Sequence, residues 1–189
     1  MKDPVGIVLA GGASQRMGRD KALLVLPPGG SGGETLAAAA ARRLAAVCAE
    51  VLVADRGRGT VPGLPSLPDG PGRGPAAGLL GAAAARPDHP LLVLACDLPA
   101  VPVALLQELA SPGADLALPR WSGGLEPLCA LWGPAALARL AERVERGLYA
   151  LHPLAVEPDL TVRFLEGERL AGFGPAAALF RNVNTPEDL

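Results

Sequence analysis

Residues suited to binding a polyphosphate follow the first apolar run of the chain. The run Val5–Leu9 predicts a buried parallel strand, and two glycines stand where that strand leaves the sheet. Because Gly11 and Gly12 carry no side chain, their N–H groups can approach an anion, and Arg16 and Lys21 add positive charge along the same loop. Neither the Walker Gly-Lys-Ser/Thr ending nor the glycine spacing of the dinucleotide fingerprint is present. The loop predicts a polyphosphate pocket, with a solvated basic turn as the alternative.

A carboxylate at the end of a later strand is a candidate metal ligand. Asp97 directly follows the apolar run Leu91–Cys96, and Pro99 stiffens the turn after it. Mg²⁺ prefers one or two protein carboxylates together with phosphate oxygens and water. Asp97 is therefore a candidate Mg²⁺ ligand, the alternative being an ordinary turn or N-cap residue.

Three further segments carry groups that could contact a nucleotide or an acceptor. The segment 74–78 opens a helix whose first N–H groups are unpaired, although Gly78 could equally serve close packing. Asp69 could accept hydrogen bonds from a base or ribose, or it could belong to an Asp-Gly turn. Asn182 and Asn184 alternate, so their side chains project to one side if the chain is extended, and they could bind a heteroaromatic ligand or fix a turn.

Alternating strand and helix patterns supply the elements that must position these residues. They predict an α/β fold with a mostly parallel, mixed central sheet between two layers of helices, and ligands then bind at the carboxyl ends of the strands. The predicted strands are Val5–Ala10, Val51–Ala54, Leu91–Cys96, Leu116–Leu118, Cys129–Trp132 and Thr161–Leu165. The predicted helices are Thr35–Cys48, Pro75–Arg86 and Pro134–Arg146. The glycine- and proline-rich segment 27–33 predicts a surface loop.

Composition limits the class of protein. A chain of 189 residues predicts one domain spanning 1–189. The net charge of −2 and the lack of a basic run make nucleic acid an improbable partner, and no apolar segment reaches the length of a membrane span. Cys48, Cys96 and Cys129 are odd in number and form no CxxC pair, which favours reduced core thiols and a cytoplasmic location.

In this order, the motifs resemble those of the molybdenum cofactor guanylyltransferase family. The resemblance spans nearly the whole chain, and its last segment narrows the choice to the guanylyltransferase branch. The matching segments are Leu9–Gly12, Arg16–Gly18 with Asp20 and Lys21, Gly74–Gly78, Cys96–Pro99 and Asn182–Leu189.

The resemblance implies a Rossmann-like three-layer α/β/α nucleotidyltransferase fold that transfers GMP from MgGTP to the phosphate of molybdopterin. Its nucleotide-binding half would be about 1–100 and its acceptor-binding half about 101–189. The implied catalytic residues are Arg16, Lys21 and Asp97. Arg16 and Lys21 would bind the GTP phosphates and Asp97 would hold Mg²⁺, with Asn182 and Asn184 on the pterin side. The implied nucleotide-binding residues are Leu9, Ala10, Gly11, Gly12, Arg16, Lys21, Asp69, Gly74, Pro75 and Gly78.

Two alternatives stay open at this point. Members of the family commonly carry an asparagine after the second strand, whereas this chain has Ala54-Asp55-Arg56, which leaves room for a cytidylyltransferase or another small-phosphate nucleotidyltransferase. A nucleotide-binding adaptor without turnover is less favoured, because a pure binder need not keep Asp97 beside the phosphate loop. Molybdoenzymes or their chaperones are candidate protein partners of the implied pathway.

Overall fold

The computed structural model describes residues 2–11, 20–26 and 33–188. These contain eight strands, six α-helices and three short 3-10 turns. The strands are β1 (Val5–Leu9), β2 (Val51–Ala54), β3 (Ser66–Leu67), β4 (Leu91–Ala95), β5 (Leu116–Trp121), β6 (Gly124–Leu125), β7 (Cys129–Trp132) and β8 (Val162–Leu165). The helices are α1 (Leu36–Ala45), α2 (Pro75–Ala85), α3 (Val103–Leu109), α4 (Pro134–Glu145), α5 (Gly167–Ala171) and α6 (Ala176–Leu179), and the 3-10 turns are Lys21–Leu23, His152–Val156 and Pro186–Asp188.

The strands form one mixed sheet with the order β3-β2-β1-β4-β7-β5-β6, and β8 pairs with β5. The pairs β1–β2, β1–β4, β2–β3 and β5–β8 are parallel. Strand β7 runs antiparallel between β4 and β5, and β6 forms an antiparallel pair with β5. The carboxyl ends of β1, β2, β3 and β4 therefore meet along one edge. The predicted mostly parallel, mixed sheet is confirmed.

Alternate residues of the strands face two separate apolar layers, as the two-residue period of a strand requires. In β1, Val8 packs with the layer that contains leucines of α1 and α3. Its neighbour Ile7 packs with the opposite layer, which contains leucines of α2 and α4. Since both residues are fully buried, the sheet lies between two helical layers.

Helix α2 lies unusually close to the sheet because two of its positions are glycine. A β-carbon on Gly78 would lie 2.9 Å from Leu9 Cδ2, and one on Gly81 would collide with the carbonyl oxygen of Pro68. Pro75 occupies the first turn of α2, where its missing N–H costs no hydrogen bond. This close packing brings the start of α2 to the carboxyl edge of β1 and β2.

The predicted elements are present with shifted bounds. Strands β1 and β4 each end one residue earlier than predicted, and β5 continues to Trp121. The short strands β3 and β6 and the helices α3, α5 and α6 were missed. Cys48, Cys96 and Cys129 are buried free thiols, as expected. No helix within residues 2–11, 20–26 and 33–188 has the length and apolar character needed to cross a membrane.

Candidate active site

A cleft of about 340 Å³ opens at the edge where β1, β2, β3 and β4 end. Most of its wall is apolar, and two ion pairs supply the charge. Its lining comprises Leu9, Gly11, Lys21, Ala54, Arg56, Asp69, Gly74, Pro75, Gly78, Ala95, Asp97 and Leu128. Eight of these twelve are residues that the sequence singled out, and they come from four different segments of the chain.

The first ion pair joins the lysine of the glycine-rich loop to the carboxylate after β4. Lys21 Nζ donates to Asp97 Oδ2, and the two side chains are only 21% and 15% exposed. Lys21 Nζ also lies 3.5 Å from Asn184 Oδ1. The C-terminal segment is fixed beside the pair, because Val183 N donates to the carbonyl oxygen of Asp97 at 2.9 Å. A cation and a carboxylate are thus held together in the cleft, with the C-terminal segment beside them.

Asp20 sets the position of Lys21. Its Oδ1 accepts from Ala22 N at 3.1 Å and so caps the 3-10 turn that carries Lys21. Its other oxygen accepts from Arg58 Nη1. Arg58 also donates from Nη2 to the carbonyl oxygen of Ala10 at 2.6 Å and from Nε to that of Asp55 at 2.7 Å. One guanidinium thereby connects the end of β1, the end of β2 and the loop of Lys21.

A buried carboxylate lies beneath this arginine. Asp55 is 0% exposed and accepts from Thr60 N at 2.6 Å, from Arg58 N at 3.2 Å and from Ser66 Oγ. Burial raises the pKa of Asp55, and the hydrogen bonds from Ser66, Thr60 and Arg58 outweigh it, so that the net pKa lies below its usual value. Asp55 therefore serves as the scaffold of the turn after β2 rather than as a ligand-facing group.

The second ion pair closes the other end of the cleft. Arg56 Nε donates to Asp69 Oδ2 at 3.0 Å, and the two side chains are 43% and 32% exposed. Arg56 has a φ of 65°, a left-handed conformation that is unusual for a residue with a side chain. Arg56 follows β2 and Asp69 follows β3, so adjacent parallel strands bring the pair together.

A second carboxylate lies near Asp97 and was missed by sequence reasoning. Glu126 precedes β7 and accepts from Trp121 Nε1 at 3.1 Å. Burial raises the pKa of Glu126, the bond from Trp121 lowers it, and the negative charge of Asp97 raises it, leaving it above its usual value. Because β7 is antiparallel to β4, the residues before β7 fall at the same edge as those after β4. The position of Glu126 near Asp97 therefore follows from the antiparallel pairing and not from the sequence.

The remaining predicted residues lie in different places. Ala10 is buried, and its backbone contacts are the carbonyl of Ala54 and the guanidinium of Arg58. Asn182 is exposed on the segment that carries Asn184. Gly12 and Arg16 lie outside the described residues.

The donor set fits a divalent cation held mainly by substrate oxygens. Within the described part of the chain, no three or more His, Cys, Asp or Glu residues gather in a way that could hold a metal by themselves. Asp97, with its small exposed fraction, instead offers one carboxylate beside the ammonium group of Lys21. That arrangement suits Mg²⁺, which keeps water and phosphate oxygens among its ligands.

A match to a known family defines the class of this protein as nucleotidyltransferase. Residues 6–156 match the family model described as the MobA-like NTP transferase domain. The chain belongs to this family.

Named relatives extend over the whole chain. A probable molybdenum cofactor guanylyltransferase of Pelotomaculum thermopropionicum is 33% identical and aligns with 100% of this chain and 91% of its own length. The molybdenum cofactor guanylyltransferase of Rhodobacter capsulatus is 35% identical and aligns with 97% of this chain and 92% of its own length. The crystal structure of molybdopterin-guanine dinucleotide biosynthesis protein A from Archaeoglobus fulgidus superposes with a TM-score of 0.77 at 23% identity. The superposition covers 97% of this chain and 94% of that one. That last likeness supports the fold.

Proposed function

We propose that this protein transfers GMP from MgGTP to the terminal phosphate of molybdopterin and releases pyrophosphate. The observation that carries the proposal is the Lys21–Asp97 pair, which stands in the cleft at the carboxyl edge of β1 and β4. The full-length similarity to molybdenum cofactor guanylyltransferases supports the choice of nucleotide and acceptor. In the reaction, an oxygen of the acceptor phosphate forms a bond to the α-phosphorus of GTP, and the bond from that phosphorus to the bridging oxygen breaks.

The residues of the cleft supply charge and position rather than a base. The acceptor phosphate is already anionic, so the transfer requires no strong general base. Negative charge develops on the α-phosphate and on the departing pyrophosphate, and a fixed cation such as Lys21 stabilises it. Asp97 would hold Mg²⁺, which when bound neutralises phosphate charge and orients the oxygens for in-line displacement.

The strand order supports a proposed arrangement of the substrates across the cleft. Arg56 and Asp69 follow β2 and β3, whereas Asp97 follows β4, with β1 between them. At about 4.8 Å per strand, the ends of β2 and β4 stand roughly 10 Å apart. The base would lie at the Arg56–Asp69 end, and the phosphates would lie against Gly11 and Lys21.

The acceptor would approach from the opposite side of the Lys21–Asp97 pair. Asn184 Oδ1 lies 3.5 Å from Lys21 Nζ, and its segment is bonded to the backbone of Asp97. We assign Asn184 and Asn182 to molybdopterin contacts. The nucleotide half would then be about 1–100 and the acceptor half about 101–189, with the reaction taking place in the cytoplasm.

The test is release of pyrophosphate by the purified protein with Mg²⁺ and each of the four nucleoside triphosphates, with and without molybdopterin. The expected result is release that requires both GTP and molybdopterin and is lost in Asp97→Asn. Arg139→Ala is a suitable control, since Arg139 pairs with Glu142 and Asp159 on the surface of α4. Acceptor-dependent release with CTP alone would refute the guanylyl assignment, and release in Asp97→Asn at the normal rate would refute the role of Asp97.

A further inference from the structure

The turn after β2 presents an arginine to the cleft. Arg56 lines the cleft together with Asp69, and its Nε–Oδ2 distance to that carboxylate is 3.0 Å. The backbone there is held in the left-handed region, with φ of 65° at Arg56 and 74° at Gly57. The buried Asp55 fixes the same turn through three hydrogen bonds. The arginine is thus held at the cleft wall by a built turn.

We propose that Arg56 is a specificity-determining residue that, side by side with Asp69, selects guanine. This inference rests on the proposed function and names the part of the site that chooses the base. The two side chains form a row along the cleft wall, with the donors of the guanidinium beside the acceptors of the carboxylate.

The hydrogen-bonding groups of guanine match the guanidinium donors of Arg56 and the carboxylate acceptors of Asp69. Guanine presents two acceptors, O6 and N7, to which an arginine binds with its two-pronged donor face. Next to O6 it presents two donors, N1–H and the 2-amino group, which suit a carboxylate. Adenine offers no acceptor at position 6, and cytosine offers a single amino donor. Guanine therefore allows both side chains to make their full set of contacts.

The ion pair between the two side chains engages one donor and one acceptor. Nε of Arg56 donates to Oδ2 of Asp69. Since both side chains are partly exposed, the ion pair between them is weak enough to open toward a base. The surrounding wall of Leu9, Ala54 and Pro75 supplies apolar surface for the face of the base.

The experiment measures dissociation constants of GTP, ITP, CTP and ATP for the wild type and three variants. Arg56→Gly removes the side chain at a φ that glycine adopts without strain, and Arg56→Lys keeps the charge but loses the planar donor pair. Arg86→Ala is the matched control, because Arg86 forms a similarly exposed pair with Glu50 outside the cleft.

The wild type should prefer GTP to CTP and ATP, and both Arg56 variants should reduce that preference by about 10-fold or more. ITP, which lacks the 2-amino group, should bind the wild type more weakly than GTP. The control should keep the full preference.

Two results would overturn the inference, and they differ from failure of the proposed function. A GTP preference that survives in Arg56→Gly and Arg56→Lys would show that another group reads the base. An equal weakening of all four nucleotides would show that Arg56 acts only as a positive charge. A wild type that prefers CTP would instead refute the guanylyl function itself, and the guanine-reading role with it.

Discussion

Replacing the buried carboxylate of Asp55 should lower the unfolding free energy of the protein by an amount that its hydrogen bonds allow us to estimate. Asp55→Asn exchanges an acceptor-only group for one with an amino donor, while Thr60 N, Arg58 N and Ser66 Oγ all donate toward it. The amide oxygen can keep some of these bonds, but at least one donor then faces another donor in a site that is 0% exposed. A hydrogen bond to a charged group contributes about 1.5–3 kcal/mol, so the variant should lose about 2–4 kcal/mol of unfolding free energy.

The assay is urea and thermal unfolding followed by circular dichroism. For a chain of 189 residues, the expected loss lowers Tm by about 5–15 °C. Ser66→Ala removes a single donor and should cost about 1 kcal/mol. Asp159→Asn removes a carboxylate whose side chain is 74% exposed, and should change stability by less than about 0.5 kcal/mol.

The turn that Asp55 holds also carries Arg56 and Arg58, so the variant should bind GTP more weakly at temperatures where it is still folded. A destabilisation by Asp55→Asn no larger than that of Ser66→Ala would refute the claim that this carboxylate organises the turn. Normal GTP affinity in the folded variant would refute its connection to the site.

Four further outcomes follow from the structure. Lys21→Ala should lower the kcat of GMP transfer about 100- to 1000-fold, and an unchanged kcat would exclude it from the reaction. Gly81→Ala should destabilise by about 1–3 kcal/mol despite the helix propensity of alanine, because its β-carbon meets Pro68 O; a gain in Tm would contradict the close packing of α2. Arg58→Lys should raise the KM for GTP several-fold, since a lysine cannot bond two carbonyl groups and a carboxylate in fixed directions, and a normal KM would contradict its positioning role. Because folding lowers the pKa of Asp55, the contribution of its carboxylate to stability is present above about pH 4 and is lost as the pH falls through the folded pKa. The unfolding free energy of Asp55→Asn, measured in urea, should therefore decrease less between neutral and acid pH than that of the wild type. Identical pH profiles of the two proteins would contradict this.

The sequence predicts the part of the site that depends on parallel strands. The carboxyl ends of such strands meet at one edge, so the positions of Gly11 and Asp97 after apolar runs already place both at that edge. Lys21 and the start of α2 follow from the same reasoning. This reasoning and the family resemblance together are why eight of the lining residues could be named beforehand.

Residues whose roles depend on tertiary pairing could not be named. Arg58 is an ordinary basic residue in a glycine-rich stretch, and only the folded chain shows its guanidinium between Ala10 and Asp20. Glu126 requires knowledge that β7 is antiparallel to β4. The pairing of Arg56 with Asp69 requires β3, a strand of two residues that is too short to give a periodic signal.

The central claim is that the cleft at Lys21 and Asp97 joins a guanosine monophosphate group to molybdopterin. Its most direct measurement uses GTP radiolabelled at the α-phosphate, with Mg²⁺, molybdopterin and the purified protein. The label should appear in a molybdopterin guanine dinucleotide, identified by mass, and should not appear there with Asp97→Asn. Label that remains in GTP, or that passes only to free GMP, would contradict the claim.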